Sequence, residues 1–520
     1  MSTAPHDRAQ LLAAGMLVAA SGWLCAQSFP GGSSPSLAFV ALVPFLVCAR
    51  LAPGARAATL FGALWMLLFA WGINDWFAPA VSRYFEKPWS FGFAGFLAVT
   101  LLTAAPATVL FARFLRCIGP RPRVLAPFLV AAAWTAGELL RSRVLGDPWG
   151  LLGYSQASRP VWLQVADFSG IYGVGFVVAA TNAALAELLL LGAAQPRASR
   201  ASLFVAAPAL VVPLLAFVYG SVQLDESPAA AADRRELVVV QGNLDFRQQW
   251  RLTSHVANLQ RYRDLTQSAL ADERADLVVW PENAVTFFLD REEALRKSLA
   301  GMLGASHAML LAGGPRVQSL APQEFRNSAF LLGQDASIVS YYDKQRLLPF
   351  GEYRPMHALA FEQSDPGPVR EFSPGPPEAS LLDAAGLPVG VVICNEALFP
   401  DPARERVRAG AQLLVALTND SWVGQWKYAE QAFEQSVVRA VEERRYLVRA
   451  STSGPSAVVD DAGQVLARTR DDSEEVLRHP IQARRELSIY ARVGDLFAWC
   501  CAAIVAAAWT RLRATVRRLP

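Results

Sequence analysis

Long apolar segments alternate with short polar ones along the first 225 residues of the chain. The length of each apolar segment is close to the roughly 20 residues that an α-helix needs to cross the hydrocarbon core of a bilayer. Seven lie before residue 225, at about 9–27, 36–52, 57–79, 91–115, 124–142, 168–192 and 203–222, and an eighth lies at about 494–511. The pattern predicts a membrane α-helical bundle of about eight transmembrane helices.

The region between the seventh and eighth apolar segments has a different pattern, in which short β-rich runs alternate with segments of helical period. The predicted strands are Leu237–Val240, Leu277–Trp280, Met309–Ala312, Ala329–Leu332, Ile338–Tyr342, Val389–Ile393, Leu413–Leu417, Tyr446–Ala450 and Ala457–Val459, and the predicted helices are 251–274, 291–304, 402–410 and 428–444. This alternation predicts an α/β domain in which two sheets pack between helices. We therefore expect seven spans in 1–225, an α/β domain in 235–485, and a last span with a basic tail in 490–520.

Composition agrees with a membrane protein. Hydrophobic residues make up 53% and charged residues 18% of the chain, and the mean hydropathy is +0.25, which is too apolar for an ordinary soluble protein. The net charge of +3 is too small to indicate a nucleic-acid partner. The positive charges matter locally, because they orient the spans.

Basic residues concentrate in alternate loops between the predicted spans. The side rich in them holds Arg8, Arg50, Arg56, Arg113, Arg116, Arg121, Arg123, Arg197, Arg200, Arg511, Arg513, Arg517 and Arg518. The positive-inside rule makes that side cytoplasmic. Both termini are then cytoplasmic, and the domain at 235–485 lies on the outer, periplasmic face of a bacterial inner membrane.

The first apolar segment also has features of a cleaved signal peptide, since it follows a short basic start. However, Leu24 occupies the position before Cys25 where a lipoprotein signal needs a small residue. Removing this segment would also reverse the order of the remaining charges relative to the membrane. The retained span is therefore the favoured interpretation.

Cys394 is the only cysteine of the predicted α/β domain, whereas Cys25, Cys48, Cys117, Cys500 and Cys501 lie in or beside apolar segments. A lone thiol in an oxidising compartment forms no disulfide within its domain and is exposed to oxidation. Its position indicates either a reactive nucleophile or a buried, inert cysteine. The spacing alone leaves both open.

Three short motifs place chemically useful side chains just after predicted strands, where sites in α/β sheets are built. Glu282 follows Trp280-Pro281, and a carboxylate beside apolar groups can act as a general base, although a solvated loop acid has the same pattern. Lys344 lies two residues after the predicted strand Ile338–Tyr342, where an ammonium can stabilise an oxyanion or be a plain surface charge. Cys394 ends the apolar strand Val391-Val392-Ile393, which exposes one sulfur at a sheet edge.

A cysteine–histidine protease is the obvious competing interpretation of the lone thiol. Its histidine would be one of His255, His307, His357 and His479, and none of these has a recognisable sequence context. Cysteine and histidine spacings typical of zinc sites are also absent from the sequence. We therefore expect no metal and no cofactor.

The order Trp-Pro-Glu, then Asp-Lys followed by Pro-Phe-Gly-Glu, then Ile-Cys-x-Glu resembles the nitrilase superfamily with its Glu-Lys-Cys triad. The rest of the chain resembles the apolipoprotein N-acyltransferase family in the segments 147–156, 164–167, 170–174, 240–243, 418–422 and 447–456. The resemblance implies a nitrilase-like αββα sandwich. It also implies a catalytic triad of Glu282, Lys344 and Cys394, in which the thiol forms a thioester.

The resemblance implies further roles near the triad. Glu352 would orient or deprotonate an incoming amine with the support of Glu396, and Trp250 matches a position that contacts lipid, although a packing role fits it as well. Asn395 stands where the family usually has tyrosine, and Tyr353 closes the second motif. Other departures from the family are Val423, the pair Gln431-Ala432, and the end of the third span at 71–76.

The implied reaction moves an acyl chain from a phospholipid to the α-amino group of a diacylglyceryl-cysteine on an apolipoprotein, within the membrane lipid. A membrane-tethered amidase would use the same triad with water as the acceptor. An inactive lipid-binding scaffold and a transporter also fit the number of spans. The transporter is disfavoured because few ionisable residues in the spans are placed to line a path.

Overall fold

The computed structural model describes residues 5–32, 34–119, 125–194, 200–225, 233–271, 274–355, 371–378 and 380–517. The chain divides into two compact units. One contains residues 1–79, 89–226 and 493–520, and the other contains residues 80–88 and 227–492. The short segment 80–88 lies between the third and fourth predicted spans in the sequence, but in the structure it groups with the α/β unit.

The first unit is built of helices. Its longer helical segments are Pro5–Ala26, Val43–Arg50, Ala55–Asn74, Trp89–Val99 continued by Thr100–Ala104 and Ala105–Ile118, Ala126–Leu139 continued by Leu140–Val144, Ile171–Ala194, Arg200–Asp225 and Leu496–Arg517. Shorter helical segments are Pro35–Leu37, Ala38–Ala41, Leu152–Gln156, Pro160–Leu163 and Ala166–Ser169. Within the described part of the chain, four helices are long and apolar enough to cross a membrane: Arg8–Ala26, Ala55–Asn74, Trp89–Ile118 and Ile171–Gly192. The helical, membrane-type character is confirmed, and the count of eight spans stays a prediction.

Some buried polar side chains of the helical unit are paired, as an apolar environment favours. Arg50 forms an ion pair with Glu187, and both side chains are buried. Asn182 accepts a hydrogen bond from the backbone N–H of Leu42 at 2.9 Å and donates one to the carbonyl of Ala38 at 2.7 Å. These contacts tie the long helix Ile171–Ala194 to the segment that contains the break between Ala41 and Val43.

The second unit contains two six-stranded sheets. The strands are β1 (Arg234–Gln241), β2 (Leu277–Val279), β3 (Met309–Leu320), β4 (Gln323–Leu332), β5 (Ile338–Asp343), β6 (Leu382–Ala384), β7 (Leu387–Ile393), β8 (Leu413–Thr418), β9 (Leu447–Ser451), β10 (Ala457–Val459), β11 (Val465–Arg468) and β12 (Glu475–Gln482). The strand order is β12-β1-β2-β3-β4-β5 in one sheet and β11-β10-β9-β8-β7-β6 in the other. The central strands β1, β2 and β3, and likewise β7, β8 and β9, run parallel.

The two sheets pack face to face, and helices cover their outer faces. One buried cluster joins apolar residues of both sheets, such as Val279, Leu311, Val391 and Val415. A second cluster lies on the other face of the first sheet and includes Val278 and Leu259. Alternate residues of β2 thus face different cores, as the period of a strand requires.

The α-helices of this unit are Phe77–Tyr84, of which residues 80–84 belong to it, His255–Leu270, Glu293–Lys297, Ala300–Ser306, Pro400–Arg408, Trp426–Glu443 and Ile489–Val493. The predicted strands all occur, and the predicted helices occur with the 291–304 segment split in two. The result is the expected layering of helix, sheet, sheet and helix. It brings the ends of β2, β5 and β7 to one site.

Candidate active site

The three motif residues follow three different strands and meet in one buried cluster. Lys344 directly follows β5, Cys394 directly follows β7, and Glu282 comes three residues after β2. The Lys344 Nζ lies 3.6 Å from Oε1 of Glu282, and both side chains are almost completely buried. The fold therefore brings together residues that are 62 and 50 positions apart along the chain.

The backbone at Cys394 has an uncommon conformation. Its φ is +52°, in the left-handed region that residues with a side chain seldom adopt. The residue stands at the junction between β7 and the short helix Cys394–Leu398. Cys394 thus occupies a strained strand-to-helix turn, and such strained residues tend to occur at functional sites.

Glycine at position 313 lets β3 pass close to Glu282. A Cβ added to Gly313 would lie 2.6 Å from the Cα of Glu282. The N–H of Gly313 also donates a hydrogen bond to the carbonyl of Pro281 at 3.2 Å. The close approach fixes the backbone that carries the candidate base.

Glu352 is a direct partner of the lysine. Its Oε2 lies 2.8 Å from the Lys344 Nζ and also accepts a hydrogen bond of 2.7 Å from the N–H of Leu348. Two carboxylates thus flank a single buried ammonium. The closer of the two is Glu352.

Asn327 joins the two carboxylates and was not singled out from the sequence. Its Nδ2 donates hydrogen bonds of 2.8 Å to Oε1 of Glu282 and to Oε1 of Glu352. Its backbone carbonyl accepts the N–H of Lys344 at 2.8 Å. Asparagine in the middle of a strand carries no motif, and only its pairing opposite Lys344 would have indicated this position.

Burial dominates the electrostatics of the site. It raises the pKa of Glu282, and the negative charge of Glu352 raises this pKa further, while Lys344 and hydrogen bonds from Asn327 and Cys394 oppose the change. Burial also raises the pKa of the Cys394 thiol, as does Glu282, against the opposing effect of Lys344. The thiol is therefore protonated at rest and needs a base before it can attack.

Lys344 stays charged in spite of its burial. Desolvation lowers its pKa, but the neighbouring carboxylates of Glu352 and Glu282 outweigh this effect and raise the pKa above that of an exposed lysine. A permanent positive charge next to a thiol is what a developing oxyanion requires. The same charge favours the thiolate over the thiol.

Glu396 is fully buried, and its carboxylate holds two segments of backbone together. Oε1 accepts hydrogen bonds from the N–H groups of Gln345 and Arg346 at 2.8 and 3.0 Å, and Oε2 accepts one from Ile393 at 2.8 Å. The hydroxyl of Tyr342 donates to the same carboxylate at 2.8 Å. The contacts of Glu396 thus join the loop after Lys344 to the turn at Cys394, and its support of an incoming amine stays a prediction.

The remaining predicted residues take no part in the hydrogen bonds of the cluster within the described part of the chain. Asn395 is buried next to the thiol, and its Oδ1 has no hydrogen-bond partner among the described residues. Tyr353 is half-buried, and its carbonyl accepts the N–H of Phe350 at 2.8 Å, which closes the turn that carries Glu352. Trp250 is half-buried in the segment after β1.

A small cavity beside the thiol contains a buried tyrosine. Cys394, Asn395, Thr418, Tyr428 and Arg449 line it. Burial, with the negative charge of Asp420, raises the pKa of Tyr428 well above its usual value, so its hydroxyl stays protonated. No cluster of histidine, cysteine, aspartate and glutamate suited to a metal ion occurs in the part of the chain that the structure describes.

The fold and the cluster define a class of enzyme. A family model described as carbon-nitrogen hydrolase matches residues 239–488, the region of the two sheets. The solved amidase of Nesterenkonia AN1, from the nitrilase superfamily, is 19% identical, covers 49% of this chain and 93% of its own, and has a TM-score of 0.37. The assignment of the nitrilase-like fold rests on the family model.

The helical region identifies one family within this class of enzyme. A model described as the apolipoprotein N-acyltransferase N-terminal domain matches residues 21–184. The apolipoprotein N-acyltransferase of Geobacter metallireducens is 33% identical over 501 residues, which is 95% of this chain and 94% of the relative. That of Pseudomonas paraeruginosa is 30% identical over 90% of this chain and 93% of its own. The chain belongs to the apolipoprotein N-acyltransferase family, and the predicted acyltransferase is confirmed in preference to the amidase.

Proposed function

We propose that this protein transfers an acyl chain from a phospholipid to the α-amino group of a diacylglyceryl-cysteine at the N-terminus of an apolipoprotein, by way of a thioester on Cys394. The observation that carries the proposal is the buried cluster of Glu282, Lys344 and Cys394 in a chain that also carries apolar helices. A thiol nucleophile divides one difficult acyl transfer into two easier ones.

In the first half, Glu282 takes the proton of the Cys394 thiol, and the sulfur attacks the carbonyl carbon of a phospholipid ester. Lys344 and the backbone N–H of Asn395 stabilise the oxyanion. The bond from the carbonyl carbon to the glycerol oxygen then breaks, and Glu282 returns the proton to that oxygen. The products are a thioester on Cys394 and a lysophospholipid.

In the second half, the free amine of the lipoprotein attacks the thioester. The carbon–sulfur bond breaks, an amide forms, and the proton lost by the amine restores the thiol through Glu282. The contacts of Glu352 with Lys344 and Asn327 support a positioning role for this residue. That Glu352 also orients or deprotonates the incoming amine, as the family resemblance implies, stays a prediction.

The acyl-enzyme test uses the full chain in detergent with phospholipid alone. We expect the peptide that contains Cys394 to gain the mass of one acyl chain and to lose it in neutral hydroxylamine. Cys394→Ala should abolish the adduct, and Glu282→Gln should slow its formation by about 100- to 10,000-fold, the usual loss for a general base. Full acyl transfer to a synthetic lipopeptide by the Cys394→Ala protein would rule out the covalent route.

The acceptor separates the transferase from an amidase or esterase. The acyl-enzyme should pass its acyl chain to a diacylglyceryl-cysteine peptide faster than to water. Release of free fatty acid at the same rate with and without the peptide would contradict the assigned acceptor. An acetylated peptide, which has no free amine, is the matched control.

We also propose eight spans, with the α/β unit on the periplasmic face of the inner membrane and both termini in the cytoplasm. The distribution of arginines supports this orientation. Alkaline phosphatase fused near residue 228 should be active, and a cytoplasmic reporter fused there should not. The opposite result would reverse the topology.

A further inference from the structure

A second, larger cavity of about 380 Å³ lies within the α/β unit. The aromatic side chains of Tyr84, Phe246 and Trp422 line it together with two arginines, Arg83 and Arg247. Polar residues complete its wall, namely Asn243, Asp245, Ser421, Ser453 and Asp472. The cavity therefore combines apolar surface with positive charge.

Several contacts connect this cavity to the candidate active site. Ser453 follows Thr452, whose hydroxyl donates a hydrogen bond of 3.2 Å to the carbonyl of Glu282. The hydroxyl of Tyr84 donates to the carbonyl of Gly351, the residue before Glu352, at 3.3 Å. The ring of Trp422 lies 5.9 Å from that of Tyr428, which lines the small cavity at Cys394. The walls of this cavity are thus in direct contact with residues of the candidate active site.

The two arginines have no carboxylate partner within the described residues. Both arginines are exposed at the wall of the cavity. Partial desolvation lowers the pKa of Arg83, and the nearby charge of Arg247 lowers it further. Two guanidinium groups that repel each other in a cavity form a ready site for an external anion. Arginine suits a phosphate in particular, because its planar fork donates two parallel hydrogen bonds.

Gly424 provides the space for one of the guanidinium groups. A Cβ added to this glycine would lie 2.4 and 2.6 Å from the two terminal nitrogens of Arg83 and 2.8 Å from its Cζ. The φ of Gly424 is +54°, where glycine is favoured. The Arg83 guanidinium therefore packs directly against backbone, which limits its freedom to turn away.

Two aspartates also line the cavity, but neither forms an ion pair with Arg83 or Arg247 within the described residues. Oδ1 of Asp245 accepts hydrogen bonds from the N–H groups of Arg247 and Gln248 at 2.9 and 3.0 Å. Asp245 is thus engaged by its own turn. Asp472 forms no ion pair with either arginine within the described residues.

We infer that Arg83 and Arg247 bind the phosphodiester of the donor phospholipid while its ester reaches Cys394. Tyr84, Phe246 and Trp422 would cover the glycerol and the first methylene groups of the chains, for which aromatic surface is suited. The inference rests on the proposed function and adds to it a binding site for the donor. It predicts that donors are recognised by the phosphate that all phospholipids share.

The test measures binding of short-chain phosphatidylglycerol to the full chain in detergent by calorimetry, with the matching diacylglycerol as the phosphate-free ligand. In the protein with both Arg83→Gln and Arg247→Gln, we expect the dissociation constant for phosphatidylglycerol to rise about 10- to 100-fold, as for lost charge-assisted hydrogen bonds. Binding of diacylglycerol should not change. Arg408→Gln, which removes one exposed charge at the end of the helix Pro400–Arg408, is the control for net charge.

Gly424→Ala offers an independent variant, because it displaces the Arg83 guanidinium while keeping every charge. It should weaken phosphatidylglycerol binding at least several-fold and leave diacylglycerol binding unchanged. Equal binding of phosphatidylglycerol by the parent and the double arginine variant would overturn the inference, as would an equal loss for both ligands. Formation of the acyl-enzyme is measured on the same samples. Its absence in a parent protein that binds phosphatidylglycerol through the arginines would contradict the proposed function and leave the phosphodiester site standing.

Discussion

The Nζ of Lys344 lies 2.8 Å from Oε2 of Glu352, closer than the 3.6 Å that separates it from Oε1 of Glu282. The closer carboxylate partner of Lys344 is thus Glu352, which lies outside the predicted triad. This leaves Glu282 less firmly bound and nearer to the role of a proton acceptor. The position of the oxyanion-stabilising charge then depends on Glu352.

Glu352→Gln should therefore slow the acylation of Cys394 itself, by about 10- to 100-fold, because a hydrogen bond between charged groups contributes about 1.5–3 kcal/mol. Single-turnover measurements with phospholipid alone give this rate, and addition of lipopeptide gives the rate of the second half. The matched control is Glu293→Gln, which breaks an exposed pair with Lys297 at 2.6 Å. If Glu352 served only the incoming amine, the acyl-enzyme would form at the normal rate and then accumulate.

The rate of acylation should depend on the charge of the side chain at position 327. Asn327→Asp places a third carboxylate beside Glu282 and Glu352, whereas Asn327→Ala only removes two hydrogen bonds of 2.8 Å. We expect the aspartate variant to acylate more slowly than the alanine variant and to need a higher pH, because added negative charge raises the pKa of Glu282 further. Acylation rates measured across pH test this order. Equal profiles for the two variants would show that Asn327 acts only through packing.

Much of the α/β unit could be predicted because its central strands are short, apolar and buried. The run Val389–Ile393 and the observed β7, Leu387–Ile393, differ only at the first residues. By contrast, β12 contains Glu475, Arg478, His479 and Pro480, and its residues are mostly half-buried. Such a strand pairs through its backbone with β1 and shows no hydrophobic alternation that the sequence could reveal.

The candidate site was predicted where a motif marks a strand end, as at Glu282, Lys344 and Cys394. Glu396 was found by its motif, but its role depends on contacts with Tyr342 and Gln345, more than 50 residues away. Asn327 was missed for the same reason. The segment from Glu352 to about Pro377 combines glycine, proline and charged residues with aromatics such as Phe361 and Phe372, which predicts a mobile lid over the site. Its centre, including Phe361, lies outside the described residues, and the lid stays a prediction.

The pH dependence of acylation should follow the ionisation of Glu282. Burial raises the pKa of this carboxyl, so the fraction of ionised base, and with it the rate, rises with pH through a midpoint above the usual 4.3 or so of a glutamate. Lys344 should cause no loss of rate at moderately alkaline pH, because its pKa is raised. Single-turnover acylation from pH 4 to pH 9 measures the midpoint. A midpoint that persists in Glu282→Gln would assign the titration to another group.

Loss of the Glu396 carboxylate should lower the thermal stability of the protein before it affects the reaction. Its carboxylate shares the Tyr342 hydroxyl with Arg406, a fully buried arginine that also donates a hydrogen bond of 2.6 Å to the carbonyl of Val391. Glu396→Ala leaves backbone N–H groups of Gln345, Arg346 and Ile393 without their acceptor next to a buried cation. Removal of one member of such a buried network costs about 3–5 kcal/mol. Thermal unfolding in detergent should show a clear fall in Tm.

The matched control for this prediction is Glu405→Ala, since Glu405 is half-exposed and lies 3.9 Å from the same arginine. It should change Tm little, because exposed ion pairs contribute about 0–1 kcal/mol. Glu396→Gln keeps an acceptor oxygen and should recover part of the lost Tm. An unchanged Tm in Glu396→Ala together with a lost second half-reaction would instead place Glu396 at the incoming amine, because a residue that acts only on the acceptor has no reason to stabilise the fold.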